Sequence, residues 1–374
     1  MQIENKKVYL NAMSACCSAG LTSDAIFESA LLGRTGIKKH QGFLTDGASS
    51  SIGKIDSTES FDTLLIEQVQ KILDESGLDD FSNTFLAVGT SVGGMAWAES
   101  QFIKDKGSFN NIELKKQSLY SISHTINQKF NFKDSITFST ACTSSSNAIL
   151  FAKELLEAGV YDNVLVVGAD SISLTTINGF NALGVLSSEC STPFDSNRTG
   201  MNVAEGIGAM LLSSKPTDIQ LVGVGCSSDA YNITNPHPDG VGAKMAMQRA
   251  LIDANLEAKD IDYINAHGTG TVANDSSEGK AIVELFGSKP LVGSTKSITG
   301  HTLGACGAVE LILSAMALKE QKIPTNLNLK SKELEELNLV EETTSKEINS
   351  VLSNAFAFGG NNVSIILKKA KDEN

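Results

Sequence analysis

Residues 69–90 read VQKILDESGLDDFSNTFLAVGT and residues 247–268 read MQRALIDANLEAKDIDYINAHG, and both stretches follow one pattern. Each begins with apolar residues at helical spacing and continues through Gly77 or Asn255, which tolerate the left-handed conformation that ends a helix. A short apolar stretch typical of a strand follows in both. The chain therefore contains an internal repeat of a helix, a turn and a strand.

The repeat extends beyond these two stretches. Further predicted strands and helices follow in the same order, namely Ser135–Thr140, Ser146–Gly159 and Asn163–Gly168 in the first copy and Leu291–Thr295, Gly307–Lys319, Ser350–Ala355 and Asn362–Leu367 in the second. Alternating strands and helices favour a parallel sheet with helices packed on it. We therefore predict an α/β fold of two related halves, residues 1–215 and 216–374, which meet around the polar segment Ser213–Asp218.

The composition of the 374 residues is that of a globular protein with large apolar cores. Hydrophobic residues make up 41% and charged residues 20%, which excludes a disordered, collagen-like or coiled-coil chain. The formal net charge is −13, from 43 acidic and 30 basic residues. Because nucleic-acid-binding proteins usually carry the opposite charge, we expect no nucleic acid among the partners.

The N-terminal residues and the cysteines indicate a cytoplasmic protein. The opening MQIENKKVYLNAM lacks the basic and apolar regions of a secretory signal, and no apolar run approaches the ~18 residues of a membrane span. The six cysteines are scattered without a C-x-x-C pair, which argues against disulfides and against a thiolate zinc site. We expect neither a membrane span nor a metal site.

One cysteine stands where a nucleophile would be activated. Residues 139–148 read STACTSSSNA, so that Cys142 follows a predicted strand and precedes a helix. The free N–H groups and the positive end of a helix stabilise a thiolate, and the same N–H groups could bind an oxyanion. The alternative is a buried structural cysteine. We assign that structural role to the other cysteines, Cys16, Cys17, Cys190, Cys226 and Cys306.

Two histidines lie in segments rich in small residues. Residues 265–271 read NAHGTGT and residues 293–310 read GSTKSITGHTLGACGAVE, and their ionisable side chains include His267, Lys296, His301 and Glu310. A histidine near neutral pKa can donate a proton or a hydrogen bond to a substrate oxygen. A lysine in so apolar a stretch needs a partner, for which Glu310 is a candidate. Taken singly, each of these residues also fits a structural role.

A double glycine follows two aromatic residues near the C-terminus. Residues 353–362 read SNAFAFGGNN, and the glycines after Phe358 suit a hinge over a pocket. A hairpin turn between two core strands explains the same residues equally well. Both interpretations stay open at this point.

Together these four segments resemble the elongating β-ketoacyl-[acyl-carrier-protein] synthases, condensing enzymes of the thiolase fold. The resemblance covers nearly the whole chain, and T-A-C, N-A-H-G-T-x-T and S-T-K-S-x-T-G-H occur in the family's order. It implies a thiolase-like, layered αβαβα architecture, with the nucleophile in residues 1–215 and the two catalytic histidines in residues 216–374. It implies no resident cofactor, because phosphopantetheine arrives on the carrier protein.

The resemblance also implies roles for individual residues. Cys142 would be the acylated nucleophile, its N–H and that of Phe358 would form the oxyanion hole, and Phe358 would also be a gate. His267 and His301 would promote decarboxylation of a malonyl thioester and hydrogen-bond the thioester oxygen. The supporting residues would be Lys296 paired with Glu310, Thr269 and Thr271 binding the phosphopantetheine arm, and Arg198 docking the carrier protein.

The chain departs from the family pattern at the gate and at the carrier-protein surface. The family's usual G-F-G-G-T-N is here Ala357–Asn362, in which the methyl group of Ala357 stiffens the hinge. The helix predicted at Phe61–Ser76, where the family often has a basic docking patch, has only Lys71 as a basic residue. Acyl carrier proteins are acidic, so a chain of net charge −13 needs a local basic patch. Candidates are a partner subunit or lysines that could equally form a solvated face, Lys104, Lys106, Lys115 and Lys116.

These observations predict a ketosynthase that extends fatty-acid or polyketide chains by decarboxylative Claisen condensation with malonyl-carrier protein. We expect a homodimer, or a heterodimer with a related ketosynthase or chain-length-factor subunit. Two other functions stay open. One is a non-catalytic partner of the chain-length-factor type, which usually lacks the nucleophile, and the other is a thioester hydrolase that uses a Cys–His pair.

Overall fold

The computed structural model describes residues 6–370 of the chain. Its strands are β1 (Val8–Cys17), β2 (Lys38–His40), β3 (Ser50–Ile52), β4 (Thr84–Gly89), β5 (Ser135–Phe138), β6 (Asn163–Asp170), β7 (Gly206–Ser213), β8 (Ile219–Ser228), β9 (Tyr263–Asn265), β10 (Leu291–Gly293), β11 (Lys322–Ile323), β12 (Thr344–Ser345), β13 (Ser350–Phe356) and β14 (Asn361–Lys369). Its α-helices are α1 (Ser23–Leu31), α2 (Phe61–Ser76), α3 (Met95–Lys104), α4 (Leu114–Gln117), α5 (Ser121–Phe130), α6 (Ser144–Glu157), α7 (Leu174–Ala182), α8 (Val241–Asp253), α9 (Val272–Phe286), α10 (Lys296–Thr299) and α11 (Cys306–Glu320). Short 3-10 helices lie at Ala258–Asp260 and Leu303–Ala305.

The internal repeat is visible in the order of the strands. A ten-stranded sheet has the order β10-β9-β13-β14-β8-β1-β7-β6-β4-β5. Read inward from its outer edge, each half has its strands in the same chain order, β5-β4-β6-β7-β1 in one and β10-β9-β13-β14-β8 in the other. β1 and β8 pair at the centre and join the two. The predicted α/β fold of two related halves is confirmed, while the exact boundary at residue 215 stays a prediction.

The strand directions differ from the parallel sheet that the sequence favoured. Three outer strands of each half are parallel, β5-β4-β6 in one half and β10-β9-β13 in the other. The inner strands of each half run antiparallel to their neighbours. The turn 357–360 between β13 and β14 illustrates the reason, because so short a connection can join only antiparallel strands.

Helices cover both faces of each half of the sheet. α6 and α11 contact strands of both halves and lie between them. α2 and α5 pack on the outer face of the first half, and α8 and α9 pack on that of the second. α11 is buried from Cys306 to Leu318, as expected of a helix enclosed on all sides. The two halves of the sheet form two layers, with α6 and α11 between them and further helices on each outer face. This is the predicted αβαβα arrangement.

Most predicted elements occur close to their expected bounds. α2 has the predicted bounds, with the Ser60 hydroxyl accepting the N–H of Thr63 at its start and Gly77 (φ 71°) at its end. β10 is shorter than the predicted Leu291–Thr295, because the chain leaves the sheet after Gly293 and turns into α10. Between residues 6 and 370, no helix has both the length and the apolar character needed to cross a bilayer.

Candidate active site

Loops at strand ends in both halves bring the candidate residues together. Cys142 follows β5, His267 follows β9, and His301 lies in the loop after β10 and α10. The carboxyl ends of parallel strands meet at one edge of a sheet, where ligands commonly bind. Ligand atoms of Cys142, His267 and His301 lie within 4.8 Å of one another. The first half thus contributes a cysteine and the second half two histidines to one site.

The backbone bends sharply at the cysteine. Ala141 has a φ of 52°, in the left-handed region, and α6 begins two residues beyond Cys142 at Ser144. The backbone N–H groups of Phe358 and of Cys142 itself lie close to the Cys142 sulfur and act to lower the pKa of the thiol. Non-glycine residues with such strained conformations persist where the surrounding structure enforces them, often at functional sites. Two backbone N–H groups beside the nucleophile are the kind of donors from which an oxyanion hole is built.

Burial decides the resting protonation state of Cys142. It raises the pKa of the thiol to about 11, although Lys296 and the N–H of Phe358 act in the opposite direction. The sequence predicted a thiolate stabilised by the helix N-terminus. The loss of hydration opposes this effect, so a thiol with a pKa of about 11 is protonated near neutral pH, and formation of the thiolate during the reaction stays a prediction.

A buried lysine–glutamate pair holds His267. Lys296 Nζ lies 3.2 Å from His267 Nδ1 and forms an ion pair with the Glu310 carboxylate. All three side chains are at most 2% exposed. Burial acts to lower the pKa of Lys296, but the adjacent Glu310 carboxylate raises it above its usual value. Lys296 is therefore an ammonium group that donates to His267 Nδ1, and the expected pairing of Lys296 with Glu310 is present in the fold.

A backbone group holds His301. Its Nδ1 accepts the N–H of Leu303 at 3.0 Å, and Leu303 has a left-handed backbone with a φ of 53°. The rings of His301 and His267 meet edge to face, with their centroids 5.3 Å apart. The loop conformation therefore fixes the ring of His301 against that of His267.

Both imidazoles are neutral and carry their proton on the same nitrogen. Burial lowers the pKa of His267 and that of His301 well below the usual value, and the charge of Lys296 lowers both further. Because Nδ1 accepts a hydrogen bond in each ring, the ring proton is on Nε2. The site therefore offers two neutral N–H donors beside the thiol of Cys142.

Two groups of side chains have donor types that zinc prefers. Cys142, His267 and His301 form one group and His267, Cys306 and Glu310 the other, each with ligand atoms within 4.8 Å of one another. The first group is the set of candidate catalytic residues, and the second includes the carboxylate already paired with Lys296. The expectation that the site holds no metal stays a prediction.

Cys142, His267 and His301 line one pocket that opens to solvent. Thr269 and Thr271 are part of this lining, and their hydroxyl oxygens lie 2.9 Å apart. Thr271 also begins α9, where its hydroxyl accepts the N–H of Asn274. Ile233 and Val272 line the same pocket with exposed side chains. Thr269 is buried and Thr271 is half-buried.

Phe358 lies at the tip of the turn between β13 and β14 and lines this pocket. Its ring meets that of Phe180 edge-on, with centroids 5.9 Å apart. Gly360 has a φ of 80°, and a Cβ there would come within 1.7 Å of the Asp229 carbonyl oxygen, so that only glycine fits. The double glycine is a hairpin turn beside a pocket, and movement of Phe358 as a gate stays a prediction.

Arg198 is placed differently from the expectation. Its side chain is 2% exposed, and its guanidinium pairs with Asp275 at 3.6 Å and with Glu333 at 2.6 Å. It also donates to the carbonyl oxygens of Thr271 and Val272. A guanidinium enclosed in this way cannot present its charge to a docking protein. The assignment of Arg198 to carrier-protein docking is therefore corrected: Arg198 fixes the loop that contains Thr271.

Two buried carboxylates at the site were not among the predicted residues. Glu278 accepts the N–H groups of His267 and Gly268, each at 2.8 Å. Asp170 accepts backbone N–H groups from both halves of the fold, including that of Gly304 at 2.7 Å. Both carboxylates are at most 1% exposed. An acidic residue at the end of an apolar strand or on the buried face of a helix was the available signal, because such residues are rarely buried without partners.

Comparison with known families covers most of the chain. The family model of the β-ketoacyl synthase N-terminal domain matches residues 14–217, and the family model of the C-terminal domain matches residues 219–330. The 3-oxoacyl-[acyl-carrier-protein] synthase 2 of Staphylococcus aureus (strain COL) is 31% identical over 415 residues, covering 98% of this chain and 99% of that protein. The protein of the same name from Coxiella burnetii is 27% identical over 414 residues, covering 99% of this chain and all of that protein.

Solved structures show the same fold. A chain in the complex of the ketosynthase ApeO with its chain length factor ApeC, from Xenorhabdus doucetiae, matches with a TM-score of 0.90 and 32% identity, over 98% of both chains. The ishigamide ketosynthase/chain length factor matches with a TM-score of 0.89 at 24% identity, over 98% of this chain and all of that chain. The second likeness bears on the fold alone.

Proposed function

The chain belongs to the β-ketoacyl synthase family, and we propose that its pocket joins an acyl group held on Cys142 to a malonyl unit with loss of carbon dioxide. The matched domains and the relatives make it an acyltransferase-type condensing enzyme of fatty-acid or polyketide chain elongation. One observation carries the assignment of this chemistry to the pocket, the convergence of Cys142, His267 and His301 within 4.8 Å.

The first step loads the enzyme. The Cys142 sulfur attacks the carbonyl carbon of an acyl thioester, the carbon–sulfur bond to the carrier breaks, and the proton of the Cys142 thiol ends on the carrier thiol. The negative charge of the tetrahedral intermediate develops on the carbonyl oxygen. The N–H groups of Cys142 and Phe358, which lie close to the sulfur in the resting site, stabilise that oxygen.

The second step makes the new carbon–carbon bond. A malonyl thioester loses carbon dioxide, and the electron pair left on its methylene carbon is shared with the thioester oxygen as an enolate. The Nε2–H groups of His267 and His301 donate to that oxygen, and they do so as neutral groups because burial and Lys296 keep their pKa values low. The carbanion attacks the acyl carbon, the bond to Cys142 breaks, and the resulting thiolate takes a proton from solvent.

The pocket needs no resident cofactor for these steps, because the protein supplies the nucleophile and all hydrogen-bond donors. The substrates arrive as thioesters on the phosphopantetheine arm of a carrier protein. Thr269 and Thr271, which line the same pocket as Cys142, bind this arm through their hydroxyls. Arg198 acts indirectly by holding the loop of Thr271.

The proposed partners are an acyl carrier protein and a second subunit of the same fold. The match at 32% identity to a chain in a ketosynthase–chain length factor complex supports a two-subunit assembly. A homodimer and a heterodimer with a chain-length-factor subunit both agree with this likeness. Retention of the cysteine and both histidines in one pocket argues against a purely non-catalytic subunit.

Two substitutions of Cys142 test the proposal in a reconstituted assay with acyl- and malonyl-carrier protein. Cys142→Ala removes the attacking sulfur, so acyl transfer and condensation should fall to background. Cys142→Gln should also abolish condensation but leave decarboxylation of the malonyl thioester, because the histidine donors remain. Cys226→Ala, at an exposed cysteine, is the matched control and should behave as the unmodified chain does. Unchanged condensation in either Cys142 variant would overturn the proposal.

A further inference from the structure

The N–H of Phe358 belongs to a turn, and the base of this turn decides where the N–H points. Within the turn, the N–H of Ala357 donates to the carbonyl oxygen of Asn361 at 2.8 Å, and the N–H of Gly360 donates to that of Ala357 at 3.0 Å. The N–H of Phe358, between these bonds, lies on the side of the turn next to the Cys142 thiol, whose pKa it acts to lower. A small displacement at Asn361 would therefore move this donor away from the nucleophile.

The side chain of Asn361 ties the base of the turn to the segment that carries the nucleophile. Its Oδ1 accepts from the hydroxyl of Thr143 and from the amide of Asn147, each at 3.1 Å. Thr143 directly follows Cys142, and Asn147 lies in the first turn of α6. Thr143 is buried, and the two asparagines are half-buried. One oxygen atom of Asn361, the first residue of β14, is thus bonded to the nucleophile segment across 214 residues of sequence.

The number of protons on each donor group shows which of these two hydrogen bonds to Asn361 forms with less competition. The Asn147 amide has two protons, and its nitrogen lies 2.9 Å from Thr140 Oγ1 and 3.1 Å from Asn361 Oδ1, so both bonds form at once. The Thr143 hydroxyl has a single proton, which it shares between the Thr140 carbonyl oxygen at 2.7 Å and Asn361. The Asn147 amide therefore has a proton available for Asn361, whereas Thr143 shares its only proton with Thr140.

The network also encloses the strained part of the backbone. Thr140 and Thr143 flank Ala141 and Cys142, and Ala141 has the left-handed φ of 52°. Asn361 occupies the position of the threonine in the G-F-G-G-T-N pattern that the sequence resembles.

We propose that Asn361 is a positioning residue that holds the Phe358 N–H against the nucleophile by bonding to Asn147 and Thr143. The inference rests on the proposed function, because it assigns Asn361 a part in the acyl-transfer step at the same site. Asn361 touches neither the substrate nor the sulfur in this role. It acts through the turn whose base it fixes.

The test compares acyl transfer with malonyl decarboxylation in Asn361→Ala. Loss of one oxyanion-hole donor costs a factor of about 10²–10³, so a donor that is displaced rather than deleted should slow acyl transfer about tenfold. The effect should fall on kcat and leave KM unchanged, because the carrier arm binds elsewhere in the pocket. Decarboxylation depends on His267 and His301 and should therefore stay close to the rate of the unmodified chain.

A double-mutant cycle shows whether the link itself is responsible. Asn147→Ala should slow acyl transfer by no more than Asn361→Ala does, because the bond from Thr143 to Asn361 remains, and the double variant should lose no more than Asn361→Ala alone. Asn349→Ala is the matched control, since this exposed asparagine directly precedes β13 of the same hairpin. It should leave both rates unchanged. Thermal unfolding of each variant identifies any that is only partly folded.

Three outcomes would overturn the inference. In the first, Asn361→Ala transfers acyl groups at the normal rate. In the second, the losses from Asn361→Ala and Asn147→Ala multiply in the double variant. In the third, acyl transfer and decarboxylation fall together, which would indicate general disruption of the pocket. Failure of the proposed function is distinguishable, because the unmodified chain would then show no condensation at all.

Discussion

At the scale of single residues, burial sets the chemistry of the site more than local charge does. The thiol of Cys142 has its pKa raised to about 11, and His267 and His301 have theirs lowered, with desolvation the largest cause in all three. The resting pocket therefore contains a neutral nucleophile and two neutral donors. Neutral imidazoles suit a step in which negative charge develops on a substrate oxygen rather than on the protein.

The raised pKa of Cys142 predicts how its alkylation depends on pH. Only the thiolate reacts with iodoacetamide, and below a pKa of about 11 the thiolate fraction rises about tenfold per pH unit. The alkylation rate at Cys142 should therefore rise about tenfold per unit between pH 7 and pH 9. Mass spectrometry of the modified peptide measures this rate at Cys142 alone, and a Cys142→Ala chain reports alkylation at the other cysteines. A rate that stays constant over this range would mean that the thiolate is already formed.

The residues of the site could be predicted from the sequence, but their states could not. Cys142, His267, His301 and Lys296 stand in short motifs rich in small residues, so their types and order identify them. Burial depends on packing by segments distant in sequence, as when Glu310 of α11 pairs with Lys296. The sequence therefore showed the helix N-terminus beside the thiol but not the burial that raises the pKa of the thiol.

At the scale of secondary-structure elements, buried polar side chains hold the site loops to the elements behind them. Arg198 bonds Asp275 and Glu333 and the carbonyl oxygens at the start of α9. Its position in sequence suggested a docking residue, because a family motif gives the residue type and not its exposure. α2, by contrast, was predictable to the residue, since Ser60 and Gly77 mark its ends locally.

The corrected role of Arg198 predicts a loss of stability on substitution. Arg198→Ala leaves the Asp275 carboxylate buried without its cation, and removing one partner of a buried ion pair costs about 3–5 kcal/mol. Urea unfolding should show this loss, whereas Lys116→Ala, which removes an exposed partner of Glu113, should cost about 0–1 kcal/mol. If Arg198 were instead a docking residue, its variant would keep its stability and lose affinity for the carrier protein.

At the scale of the whole molecule, the two halves form one structure around a shared core. α11 lies between strands of both halves, and a single apolar cluster includes Val166 and Leu212 of the first half with Val309 and Ile365 of the second. The internal repeat made the two halves predictable, but not how they join. The pairing of β1 with β8 and the central position of α11 depend on contacts between distant segments, which leave no local pattern in the sequence.

This shared core predicts that neither half folds alone. Fragments 1–215 and 216–374 would each expose the apolar residues that now pack against the other half. Each fragment should therefore lack a cooperative thermal transition and native near-ultraviolet circular dichroism, while the full chain shows both. Co-expression of the two fragments is the control for damage caused by cutting the chain. A sharp transition in either isolated fragment would show that the halves are independent domains.

The net charge of −13 bears on how an acidic carrier protein would approach the molecule. An acidic carrier protein would be repelled at long range unless part of the surface is basic. Arg198 cannot supply that charge, and Lys116 is paired with Glu113 at 2.8 Å and lies over the Trp97 ring. The basic patch, on this chain or on a partner subunit, stays a prediction.

The central claim is that this pocket condenses an acyl group on Cys142 with a malonyl unit, and intact-protein mass spectrometry tests it most directly. After incubation with acyl-carrier protein, the chain should carry one stable acyl adduct, and peptide mapping should locate it on Cys142. Addition of malonyl-carrier protein should remove the adduct and yield an extended β-ketoacyl product with release of carbon dioxide. Loss of the adduct to water at the same rate without malonyl-carrier protein, with free acid as the product, would contradict the account and indicate a hydrolase.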